Sequence, residues 1–148
     1  MKKAENKIRL VGRREYVDFP ELKLFSVEGK IDTGAYTSSL HCKNISLENK
    51  SGTSFLVFET EAGKHEFKDF FRKRIKNSFG EMEERYVIKT SIKIGRKTIL
   101  TTISLSDREN LRYPVLIGRR LLKGKFLIDV SKIHTGGVRM TKAINDYI

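Results

Sequence analysis

Lys30-Ile31-Asp32-Thr33-Gly34-Ala35-Tyr36-Thr37-Ser38-Ser39-Leu40-His41 is the run that decides the reading of this chain. A strand-like segment ends in a carboxylate. A hydroxyl residue that can lock a turn comes next, and then a glycine that lets backbone approach closely and donate N–H bonds to the acid. Taken alone, Asp-Thr-Gly also fits an ordinary Asx-type turn. Working outward, Val115-Leu116-Ile117-Gly118-Arg119-Arg120-Leu121-Leu122 is an apolar strand that reaches a glycine and turns into a short helix, ended by Gly124. Leu116–Leu122 taken alone reads as a core strand followed by a helical turn.

The remaining pattern is mostly β. Ile88, Thr90, Ile92 and Ile94 alternate with Val87, Lys89, Ser91 and Lys93. Gly95-Arg96 fits a two-residue turn with Gly first, and residues 97–105 return, so 86–105 is expected to be a hairpin. Residues 55–58 and 65–71 flank Glu61-Ala62-Gly63 as a second hairpin. Residues 22–31 and 39–47 are further strand candidates, and the segment from His134 onward reads as irregular. Many short strands with a single late helical turn predict an all-β, compact barrel. One domain is expected over 1–148, with a core at about 8–130 and a tail at 131–148.

Composition bounds the partners. The chain has 30 Lys+Arg against 18 Asp+Glu, a formal charge of +12. Such a field favours an anionic partner. Basic residues cluster at Lys2/Lys3/Lys7/Arg9, Arg13-Arg14, Arg72-Lys73-Arg74-Lys76 and Arg119-Arg120/Lys123/Lys125, where solvated surface charge is the plain alternative. The single cysteine, Cys42, rules out an intrachain disulfide and a Cys-rich zinc module. No apolar run approaches the ~20 residues of a membrane span. A cytosolic protein without membrane attachment is expected.

Together, Asp-Thr-Gly-Ala early and apolar-Ile-Gly-Arg-x-Leu-Leu late resemble the retropepsin half of the aspartic peptidases. The match extends to Gly12–Val17 with Pro20-Glu21-Leu22, Arg85–Ile88, Leu105–Arg108 and Phe126–Val130. In that set the chain is similar to a bacterial family labelled putative ATP-dependent zinc proteases, associated with ATP-grasp glutamate ligases. Tyr36, where a basic residue is common, and Cys42, where a small one is usual, depart from the family pattern. The resemblance implies a closed retropepsin-like barrel with one short C-terminal helix. It further implies an aspartic endopeptidase with Asp32, Thr33 and Gly34 as catalytic turn and Ala35, Thr37, Ile117 and Gly118 supporting it.

Such enzymes need two carboxylates. Like charges ~3 Å apart cannot both ionise, so the pair shares one proton. This chain holds one Asp-Thr-Gly, and His134-Thr135-Gly136 lacks the acid. The simplest dyad is therefore a C₂ homodimer with Asp32 from each subunit on the axis, and the resemblance implies that Thr33 braces the two loops across it. Asp18, Asp69, Asp107 and Asp129 are intrachain alternatives. Lys30, His41, Arg85, Arg108 and Arg119 are the candidate substrate-binding residues for an acidic, glutamate-rich peptide or protein, since arginine suits bidentate carboxylate recognition. Residues 76–83, with Gly80 as hinge, are the candidate flap. No cofactor is expected. There is no Walker motif and no His-Glu-x-x-His, and a zinc site of His41, Cys42 and Asp32 lacks a recognised ligand spacing. A glutamate ligase or the ribosome is a possible partner. The competing classes are a non-catalytic basic module binding RNA, the ribosome or a ligase, and a zinc-dependent hydrolase.

Overall fold

The structure, a computed structural model, describes residues 8–76, 79–107 and 112–139. Its strands, in chain order, are Arg9–Val11 (β1), Arg14–Phe19 (β2), Leu24–Ile31 (β3), Ser38–His41 (β4), Lys43–Lys50 (β5), Thr53–Thr60 (β6) and Gly63–Phe67 (β7). They continue with Phe71–Lys76 (β8), Met82–Ile94 (β9), Lys97–Ser106 (β10), Val115–Ile117 (β11), the helix Arg119–Leu122 (α1), Phe126–Ile128 (β12) and Val138–Arg139 (β13).

The hairpin of β9 and β10 shows how sequence becomes packing. Ile94 pairs with Lys97, so Gly95-Arg96 is the whole turn. Gly95 takes φ +61° while Arg96 does not enter the positive region, which is the type II′ geometry that matches strand twist. The alternation then points Ile88, Thr90, Ile92 and Ile94 inward, all buried, and leaves Lys89 exposed. Each fully buried aliphatic side chain is worth about 1.5–3 kcal/mol of transfer free energy.

Strands run in the order β10-β4-β11-β3-β2-β9, and β9 pairs again with β10. Six strands thus close on themselves, as the all-β barrel expectation required. Phe19, Leu40, Ile92, Ile103, Leu105, Ile117 and Leu121 fill the interior. Closure leaves no open edge along the barrel, which limits strand-to-strand aggregation. The first part of β9 takes β8 as its neighbour, with Lys76 opposite Met82 and Phe71 opposite Val87. Two three-stranded sheets, β5-β6-β7 and β12-β1-β13, flank the barrel.

Several boundaries differ from expectation. Residues 39–47 are two strands in different sheets, parted at the buried Cys42. Residues 65–71 are likewise divided, because β7 stops at Phe67 and β8 begins at Phe71. Residues 20–22 form a 3-10 turn opened by Pro20, so β3 starts at Leu24. The segment after His134 includes β13, which pairs antiparallel with β1.

Glu15 fastens that segment. It is 1% exposed, and its Oε2 accepts from Gly12 N (2.7 Å), Thr135 N (3.1 Å) and Thr135 Oγ1 (2.7 Å), while Oε1 accepts from Gly136 N (2.9 Å). Charge-assisted bonds of this kind offset the cost of burying a carboxylate.

Candidate active site

β3 delivers Asp32 to its end. The Asp32 N–H donates to Ile117 O of β11 (2.8 Å), and Asp32 O accepts from Ala35 N (3.2 Å), which closes the turn. Gly34 N donates to Asp32 Oδ1 at 3.0 Å. That is the bond the Asp-Thr-Gly spacing predicts. Asp32 is half-buried, and Thr33 and Gly34 are exposed.

The late motif packs on this turn. Arg119 N donates to Ala35 O (2.8 Å) and Arg120 N to Tyr36 O (3.0 Å). Gly118 N donates to Ser38 Oγ at 3.0 Å, and Arg119 Nη1 donates to Thr33 O at 2.8 Å. A Cβ at Gly118 would stand 2.7 Å from Tyr36 O and 2.9 Å from Ala35 O, so only glycine lets the two backbones approach this closely. β11 also joins β3 to β4, with Ile117 beside Ile31 and Leu116 beside both Lys30 and Ser39. Residues far apart in sequence thus make one rigid support.

Asp32 opens into a cleft of about 720 Å³ lined by Gly34–Thr37, Ser39, Ser104 and Leu116 on the barrel side. Lys73, Arg74, Ile75 and Lys76 of β8, Arg85 of β9 and Arg119 complete it. Among the described residues Asp32 is the only carboxylate in this lining. Lys73 Nζ donates to Thr37 Oγ1 at 3.3 Å, which ties β8 to the turn that carries Asp32. Arg85 Nε donates to Glu83 Oε1 at 2.6 Å.

The other candidates are placed as follows. Lys30 is exposed on β3, outside the cleft lining. His41 lines a separate cleft of about 590 Å³ with Leu24–Glu28, Lys43, Glu59 and Pro114, and its Nδ1 lies 3.6 Å from Asp107 Oδ1. Arg108 lies outside the described residues, as do two residues of the 76–83 segment. That segment joins β8 to β9, and Gly80 within it has φ +80°. Lys73, Arg74, Lys76 and Tyr36 were not singled out as site residues from sequence. The signal available was the basic run itself, which the sequence offers either as attraction for an anionic partner or as solvated surface charge.

A profile of the family described as RimB-like, retropepsin-like aspartic endopeptidase RimB, matches residues 10–136. The chain belongs to the RimB-like family. A Shewanella halifaxensis protein named "Probable alpha-L-glutamate ligase" is 32% identical over 137 residues, covering 87% of this chain and 30% of that protein. A Desulfotalea psychrophila protein of the same name is 32% identical over 129 residues, covering 82% and 28%. This RimB-like chain thus spans only about 30% of the length of the curated relatives it matches. Among solved structures, a Legionella pneumophila protein of unknown function is 27% identical with a TM-score of 0.69, covering 86% of this chain and 98% of that one.

The zinc in the label of the resembled family can be tested on donor chemistry. Burial pushes the Cys42 thiol up to about 12, so it resists forming the thiolate that zinc needs. His41 and Asp32 line different clefts. The set His41, Cys42 and Asp32 therefore does not fit the metal. Among the described residues no group of three or more His, Cys, Asp or Glu is gathered to hold an ion. No helix among them is long and apolar enough to cross a membrane.

Proposed function

We propose that this RimB-like chain is an aspartic endopeptidase that works as a homodimer on acidic, glutamate-rich peptide segments. One observation carries the reading. Among the described residues, the cleft joins a single carboxylate, Asp32, to a rim of Lys73, Arg74, Lys76, Arg85 and Arg119. One acid cannot serve as both base and acid in the same step, so the chemistry calls for Asp32 of the partner subunit.

The two acids share one proton in the resting dyad. The ionised Asp32 takes a proton from water as its oxygen attacks the scissile carbonyl carbon. The protonated partner gives its proton to the carbonyl oxygen, and a tetrahedral diol forms. Collapse moves a proton to the amide nitrogen, the C–N bond breaks, and acid and amine products leave. The dyad ends with one proton, as it began. Gly34 N holds Oδ1 in place throughout.

The basic rim supports the substrate class. Lys73 stands directly opposite Arg85 in the β8–β9 ladder. Glu83 already pairs with Arg85, so the like-charge cost of this ladder position is partly met within the chain and Lys73 is the cation of the two left for an anionic ligand. Exposed ion pairs give only about 0.2–1 kcal/mol each, so several must act together, which favours a run of carboxylates over one. The relatives' name suggests a working partner: a glutamate ligase making what this peptidase trims, in the cytosol.

The test compares wild type with Asp32→Asn on glutamate-tailed peptides, with and without chelator. Loss of at least about 1000-fold in kcat, with chelator indifference, is expected from removal of the general base. Chelator sensitivity would point to a metal hydrolase. Binding of anions with no hydrolysis by either protein would leave a basic binding module.

A further inference from the structure

Tyr36 sits at the crossing of the two halves of the cleft. The residue is 52% exposed, yet its backbone is fixed, since Tyr36 O accepts from Arg120 N at 3.0 Å. Two cations gather on the ring. Lys73 Nζ from β8 lies 5.6 Å from the centroid, and the Arg119 Cζ at α1 lies 5.8 Å from it. Each cation has a second tether on the same loop, Lys73 to Thr37 Oγ1 (3.3 Å) and Arg119 to Thr33 O (2.8 Å). Among the described residues no carboxylate pairs with either of them. Two flexible cationic chains, from strands and helix far apart in sequence, are thus held beside Asp32 with their charge unspent.

We infer that Tyr36 is a positioning residue for substrate selection: its ring presents Lys73 and Arg119 together to a carboxylate side chain of the bound peptide. The inference rests on the acidic-peptide reading above. The physics favours an aromatic ring here. A ring face attracts both cations without neutralising them, whereas an acid would pair with them and compete with substrate, and an aliphatic side chain would release both to solvent. Held in place, the pair avoids part of the side-chain ordering cost that binding otherwise exacts.

The experiment uses Tyr36→Leu and Tyr36→Phe, each in the active chain and in the Asp32→Asn chain. The probes are a glutamate-tailed peptide and its glutamine-tailed counterpart. Each exposed cation–π contact is worth about two- to fivefold in an equilibrium constant, so Tyr36→Leu should weaken the glutamate peptide about tenfold. That loss should appear in KM, with kcat within about twofold, because the ring does not touch the reacting atoms. The glutamine peptide should shift by less than about twofold, and Tyr36→Phe should keep most of the affinity, because the ring and not the hydroxyl holds the cations. The same ordering is expected in dissociation constants of the Asp32→Asn chains, where no cleavage is needed. A wild type that binds but does not cut would sink the peptidase reading alone. Equal weakening of both peptides, or Tyr36→Phe as damaging as Tyr36→Leu, would overturn the inference, with thermal unfolding checking that all variants fold.

Discussion

Two carboxylates of this chain, Glu15 and Asp32, share a charge and little else. Glu15 is 1% exposed and takes donors from Gly12, Thr135 and Gly136 on both oxygens. Asp32 is half-buried at the mouth of a cleft and accepts one side-chain bond, from Gly34 N. The contrast separates structure from chemistry. An acid that takes four donors from the fold is a clamp; one that takes a single donor keeps lone pairs with which it can take a proton from water or hand one on.

That contrast can be broken by exchanging the two acids' roles in turn. Asp32→Asn should leave the unfolding midpoint close to wild type while abolishing hydrolysis by about three orders of magnitude, a barrier change of about 4 kcal/mol. Glu15→Gln should do the reverse. Its amide N–H₂ must face a backbone N–H, and charge-assisted bonds are lost, so denaturant unfolding should show a loss of about 3 kcal/mol with unchanged kcat per folded molecule. A Glu15→Gln protein of wild-type stability would show that the clamp is idle.

Between these extremes lies the backbone that holds Asp32. Gly118→Ala places a methyl 2.7 Å from Tyr36 O, so the turn must move. A fall of about 2 kcal/mol in stability together with a drop in kcat is expected, since overpacking typically costs about 1–3 kcal/mol. Stability loss without any change in kcat would mean that the support and the acid are uncoupled.

The smallest effect concerns Cys42, which burial, the dominant cause, holds at about 12 against an ordinary 9.0. The folded chain keeps the proton while the unfolded chain gives it up. The resulting stability is complete below pH 9 and is lost as pH rises towards 12, by at most about 1.4 kcal/mol per pH unit. Cys42→Ala should flatten the alkaline limb of a stability profile measured between pH 8 and 10.5.

The same two regions explain what could be read in the chain before its fold. Asp-Thr-Gly carries its geometry locally, so the Asp32–Gly34 bond follows from a short motif, whereas the support at Gly118 spans 80 positions and was legible only through the family resemblance. Gly95-Arg96 likewise announces its own turn. Glu15 was silent, because its main donors lie 120 and 121 positions away. The basic run of β8 left an anionic-partner role and solvated surface both open, because nothing local says which strand faces Asp32; pairing with β9 decides that. Cys42 hid a change of sheet, since a continuous strand pattern looks the same on either side of it.

The central claim is that Asp32 of two subunits forms one dyad, and mixed dimers test it most directly. Wild type and Asp32→Asn, unfolded together in equal amounts and refolded, should give roughly one quarter of the wild-type rate per total chain, because only the doubly wild-type dimer retains both acids. A rate of roughly one half would mean that each chain works with its own acid, and it would contradict the account.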